Sequence, residues 1–238
     1  MGHVTIFSGA FGSGKTEIAL NYALERAGQS KYDKVLLADL DTANPYFVAR
    51  DARDQLGAAG EKISIIAPVR ELAQADVPNL PVEIIGLLRT DNEMVLDLAG
   101  DKFGALVLGY ISGHIRARRN YDMYLVINPF RPFSANLDEV MELRNMLEGA
   151  GRLKFTGIIS NPNLVEETTA DLIKEGHRRV VGFAKALEIP VAYLAVEGKY
   201  FQELYPEYGN DLKCISLFLR PDWIRGLEEG MKDGEGQG

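Results

Sequence analysis

Cysteine is almost absent from the sequence: Cys214 is the only one in 238 residues. A lone thiol cannot close an internal disulfide, and it excludes a multi-cysteine metal site within one chain. No apolar run reaches the ~18 residues of a membrane span. The N-terminus runs straight into Val4-Thr5-Ile6-Phe7 with no basic region and no cleavage site, so no secretory signal is expected. The myristoylation pattern fails because Ile6 stands where Ser or Thr is required. Basic residues are in deficit, 26 Lys and Arg against 34 Asp and Glu, and the net charge is −8. That balance argues against a global affinity for nucleic acid. With 46% hydrophobic and 25% charged residues, a mostly disordered chain is excluded as well. What remains is a globule of a reducing, cytoplasmic compartment, of a length that one α/β domain can fill.

Short apolar runs alternate with segments of helical spacing. The predicted strands are Val4–Ser8, Lys34–Leu40, Lys62–Ala67, Met94–Leu98, Tyr124–Asn128, Phe155–Ser160 and Val191–Val196. Most are apolar throughout, which marks strands covered on both faces, as in parallel sheets. Val140, Leu143, Leu147 and Ala150 form one helical stripe, with Asn136 or Ser134 as its N-cap. Ile173, His177, Val180, Ala184 and Leu187 form another, opened by Thr168 or Thr169. The alternation predicts a doubly wound α/β fold: a mainly parallel sheet of about seven strands with helices on both faces. Residues 1–228 are read as one domain and 229–238, with four glycines, as a frayed tail.

The strongest motif is Gly9-Ala10-Phe11-Gly12-Ser13-Gly14-Lys15-Thr16, which satisfies G-x-x-x-x-G-K-[ST] at every fixed position. A predicted strand precedes it and a helix begins at Lys15. Glycines let such a loop curl so that its N–H groups point at phosphate oxygens, and the helix N-terminus faces the same anion. Lys15 would reach the β- and γ-phosphates, and Thr16 would place its hydroxyl on Mg²⁺. Two acidic segments end predicted strands, where open α/β sheets bind ligands. In Leu36-Leu37-Ala38-Asp39-Leu40-Asp41 the two acids are two apart and point the same way in an extended strand. In Met94-Val95-Leu96-Asp97-Leu98-Ala99-Gly100 an apolar run ends in an acid, the Walker B arrangement, and Gly100 would allow close approach to a γ-phosphate.

The set GAFGSGKT, ADLDTANPYF and VLDLAGD resembles the MinD/ParA-like (SIMIBI class) P-loop ATPases over roughly residues 4–200. The resemblance implies that Asp41 orients the hydrolytic water, that Asp39 lies near Mg²⁺ and that Asp97 is the Walker B acid. It also implies that Asn161, after Phe155–Ser160, reads adenine, donating to N7 and accepting from N6. Ser160-Asn161-Pro162-Asn163 lacks the Lys and Asp that classical GTPases carry there, which favours ATP. Two positions depart from the family pattern: Ala10 stands where the family has a second loop lysine, and Phe11 fills the place of a glycine. A homodimer of the usual nucleotide-sandwich kind therefore lacks its trans-acting cation, and any homodimer would need a different geometry. Arg50 and Arg53 are conceivable substitutes, or else plain surface charges.

Other signals read as structural. His114-Ile115-Arg116-Ala117-Arg118-Arg119 fits a helix C-terminus whose cations complement the dipole. His3, His114 and His177 lack metal-ligand spacing, and His177 and Cys214 read as core residues. Cys214–Met231 is apolar enough for a membrane helix, but Pro221 and an acid excess oppose that, so helices packed on the sheet edge are expected. Asn128-Pro129-Phe130-Arg131-Pro132-Phe133 ends another strand and either borders the adenine or carries an output surface. The expected function is a slow, Mg²⁺-dependent ATPase acting as a switch on a protein partner that the sequence does not name. The alternatives are a P-loop kinase or dethiobiotin-synthetase-like ligase acting on a small molecule, and a nucleotide sensor that does not hydrolyse.

Overall fold

A computed structural model of the chain describes residues 2–29, 34–41, 60–66 and 83–219. Its strands are β1 (Val4–Ser8), β2 (Val35–Leu40), β3 (Ile63–Ile66), β4 (Glu93–Leu98), β5 (Tyr121–Ile127), β6 (Gly157–Ser160), β7 (Val191–Glu197) and β8 (Leu212–Ile215). They form one sheet in the order β3-β2-β4-β1-β5-β6-β7-β8. Every pairing is parallel. The helices are α1 (Lys15–Gly28), α2 (Glu83–Leu87), α3 (Lys102–Ala117), α4 (Leu137–Gly151), α5 (Ala170–Leu187) and α6 (Gly198–Tyr208).

The apolar strands are apolar because both of their faces are covered. Val4, Ile6, Leu36, Ala38, Met94, Leu96, Leu125 and Ile127 pack with α2, α3, α4 and α5. The alternate residues, Phe7, Val35, Leu37, Val95 and Val126, pack under Ile18, Leu20 and Ala23 of α1 on the opposite face. The helix starts follow side-chain chemistry. Asn136 caps α4 by accepting from the Glu139 N–H, and Thr169 caps α5 by accepting from Leu172. Ser134 and Thr168, the other candidates, are instead buried.

The sheet agrees with the expected doubly wound fold of about seven strands and adds β8 at one edge, while several single-residue expectations need correction. The four residues of β8 are too few and too mixed to signal a strand, with Lys213 and Cys214 in the middle, because an edge strand is covered less than a central one. Cys214 is exposed on that strand and is not a core residue. Residues 212–219 accordingly begin the last segment as a strand and an extended stretch, not as helices. His177 is half-buried, edge-on to Tyr208 of α6, and Gly176 takes the buried place beside it. Ala150, at the end of the α4 stripe, is exposed, and the adjacent Glu148 and Gly151 are buried. Phe155 lies outside β6 because its N–H donates to Glu148 Oε1 and not to the ladder. Arg50, Arg53 and the tail 229–238 lie outside the described residues.

At the edge of the sheet remote from the loop, two charged residues tie the elements together. Arg26 Nε of α1 sits 2.6 Å from Glu93 Oε1 on β4, and the other Glu93 oxygen accepts from the His3 N–H. Arg118, from the basic run, is buried and donates to the Gly2 and Asn92 carbonyls. The basic run thus ends a helix and stitches the strand starts.

Candidate functional site

The loop Gly9–Thr16 leaves the C-terminal end of β1, a central strand of the sheet, between β4 and β5. Its last turn needs Gly14, the N-cap of α1, at φ 84°; an L side chain is strained there. A Cβ on Gly14 would also overlap the Asn161 amide. A Cβ on Gly100 would overlap the Gly9 carbonyl oxygen, so the segment after β4 is packed directly on the loop backbone. Ala10 is buried and Phe11 is 72% exposed. Ser13 is buried, with no partner for its Oγ among the described residues.

Strand alternation delivers the acids. On β2 and β4, Val35, Leu37 and Val95 face α1, so Asp39 and Asp97, in the same alternation, face the side where α1 begins. They are register partners across the β2–β4 ladder. Lys15 Nζ lies 2.6 Å from Asp41 Oδ2, and the Asp41 N–H donates to Asp39 Oδ1 at 3.2 Å. Burial alone would lower the Lys15 pKa, but Asp97, Asp41 and Asp39 outweigh it and raise the pKa. The ammonium therefore stays charged in the site. Burial pushes Asp97 up to about 6, against the opposing pull of Lys15 and Thr16. Both Asp97 oxygens are buried without a hydrogen-bond partner of ordinary geometry among the described residues.

An orphaned buried carboxylate beside a lysine, a threonine and a second acid is a donor set that fits a hard divalent cation. Mg²⁺ keeps several waters and takes one or two protein carboxylates. Consistently, no cluster of three or more His, Cys, Asp or Glu able to hold a metal exists among the described residues.

Beside the loop lies a cleft lined by Gly12, Gly14, Asn128, Arg131 and Asn161 on one side and by Ile215, Leu217 and Leu219 on the other. The Asn161 Nδ2 donates to the Ser13 carbonyl at 2.8 Å. A carbonyl only accepts, so this contact fixes which end of the amide faces the loop. The Asn161 Oδ1 is then left buried without a donor among the described residues. Asn161 therefore uses its donor on the loop as well as having an acceptor to offer.

The apolar wall was not legible in the sequence. Residues 215–219 are held against α1 by two side chains one turn apart. Glu17 accepts from the Phe218 and Leu219 N–H groups at 2.9 and 2.6 Å. Asn21 exchanges two hydrogen bonds with Ser216, each 2.8 Å. The only sequence signal was Glu17 and Asn21 at i and i+4 on one helix face. The segment 128–133 borders the cleft through Asn128 and Arg131.

Comparison with solved structures finds the same architecture in the signal recognition particle receptor FtsY. What the two share is the fold, a parallel α/β sheet with a loop after its first strand. FtsY from Mycoplasma mycoides matches with a TM-score of 0.52 at 16% identity, over 82% of this chain and 60% of that one. FtsY from Elizabethkingia anophelis matches at 0.51 and 19% identity, over 91% and 63%. That of Thermotoga maritima matches at 0.51 and 17% identity, over 82% and 62%. The likeness at these identities is one of fold, and the chain spans about three fifths of the length of these receptors. No protein-family model and no curated protein matches the chain. No helix among the described residues is long and apolar enough to cross a membrane.

Proposed function

We propose that the protein binds ATP with Mg²⁺ and hydrolyses it slowly, acting as a nucleotide-dependent switch. The observation that carries the choice of base is the Asn161 amide. Its oxygen is buried without a donor among the described residues, and the residue lines the cleft. The exocyclic amine of adenine is a donor at the edge where guanine presents the O6 acceptor. An unsatisfied buried acceptor costs about 1–3 kcal/mol, so a base that satisfies it is favoured by that order.

In this reading the loop amides and Lys15 hold the phosphates and stabilise the charge that develops during transfer. Asp41 exchanges its lysine partner for the attacking water, which it orients. Thr16, Asp97 and Asp39 would hold Mg²⁺, which neutralises phosphate charge when bound. Calorimetric titration is the direct test. Lys15→Ala should abolish ATP binding, and unchanged affinity would sink the proposal. Asp41→Ala should bind ATP but release no phosphate. Tight binding by the unaltered protein with no phosphate release would point to a sensor, and phosphate transferred to an added small molecule to a kinase or ligase.

A further inference from the structure

Arg131, at the rim of the loop, has no counter-ion among the described residues. Its side chain lies along Gly12: from the place a Gly12 Cβ would occupy, Arg131 Cδ is 3.6 Å away and Nε 3.8 Å. The Nε is buried and has no hydrogen-bond partner among the described residues. The one acid lining the same cleft, Glu17, is engaged with the backbone of Phe218 and Leu219. Within Gly9–Thr16 the only side-chain cation is Lys15.

The segment that carries Arg131 is held rigidly. Asn128 donates to the Asn163 carbonyl at 2.7 Å and accepts from the Phe130 N–H. The Ser134 hydroxyl donates to the Asn128 carbonyl at 2.7 Å, and the Arg131 N–H closes a turn onto that same carbonyl. Such a turn holds a guanidinium in place before any ligand arrives, and that reduces the entropy lost on contact.

A half-buried guanidinium whose Nε has no partner among the described residues calls for an anion, and the fork of Arg matches phosphate oxygens. We propose that Arg131 contacts the phosphate chain of the bound nucleotide, in cis, from the side of the loop opposite Asp41 and Lys15. The proposal rests on the cleft being a nucleotide site. It differs from the sequence expectation, which looked for a second cation at Arg50 or Arg53.

The test compares Arg131→Ala, Arg131→Lys and Lys15→Ala, each first checked for an unchanged thermal transition without ligand. ATP affinity is read by calorimetry, and adenosine affinity by displacement of a fluorescent ADP analogue. Arg131→Ala should weaken ATP roughly ten- to hundredfold, the range for a hydrogen bond to a charged group, and leave the adenosine inhibition constant unchanged. Arg131→Lys should restore part of the loss. Equal losses for ATP and adenosine would overturn the proposal in favour of a contact with the base, and so would no loss in Arg131→Ala while Lys15→Ala abolishes binding. Full ATP affinity in Lys15→Ala would instead overturn the nucleotide reading beneath it.

Discussion

At the scale of single residues, Asp97 carries the most consequence. Its carboxyl, raised to about 6 by burial, is protonated more readily in the folded than in the unfolded chain. Its contribution to stability is therefore fully present below the unfolded value near pH 4 and is lost as pH rises through about 6. Asp97→Asn removes that loss. Without ligand, the variant should gain melting temperature relative to the unaltered protein at pH 7.5, and gain less at pH 5; the reverse order would refute the assignment. Gly100 is the second such residue. Gly100→Ala must push the Gly9 carbonyl out of the loop. We expect it to cost about 1–3 kcal/mol, as overpacking does, and to weaken ATP binding more than its loss in stability accounts for. A calorimetric titration alongside a urea melt separates the two.

At the scale of elements, strands covered on both faces and capped helices were legible because each is written in consecutive residues. The loop motif, Asp39, Asp41 and Asp97 were legible for the same reason: alternation along β2 and β4 sends Asp39 and Asp97 to the face of α1. What could not be read were pairings between distant segments. β8 is a strand because β7 offers it a ladder, and the wall of the cleft exists because Glu17 and Asn21 reach residues about two hundred positions on. Arg131 was visible as a residue, but its lack of a counter-ion among the described residues is a property of the folded surroundings. The clamp can be tested by Asn21→Ala, which deletes two hydrogen bonds to Ser216 and should cost about 1–2 kcal/mol in chemical denaturation. Unchanged stability would mean that Glu17 alone holds the segment. Thr169→Ala should cost about 1 kcal/mol through the lost cap of α5.

At the scale of the whole molecule, the sheet has chemistry at one end and fastening at the other. The Arg26–Glu93 pair and the Arg118 contacts secure the starts of β4 and the segment before β1. Glu93→Ala removes the carboxylate that faces the partly buried Arg26 guanidinium. We expect a cost of about 3 kcal/mol, toward the lower end for breaking a buried pair, with ATP affinity per folded molecule unchanged because the pair lies away from the loop. A large fall in intrinsic affinity would show that the two ends are coupled. The placement of β1 also governs how the protein can fold. Val4 pairs with Met94 on one side and Tyr121 on the other, so the strand that carries the loop gains both neighbours only after more than half the chain is available. Contacts so far apart in sequence are slow to form. We therefore expect the loop that β1 carries to become rigid only after both neighbouring strands have docked on β1.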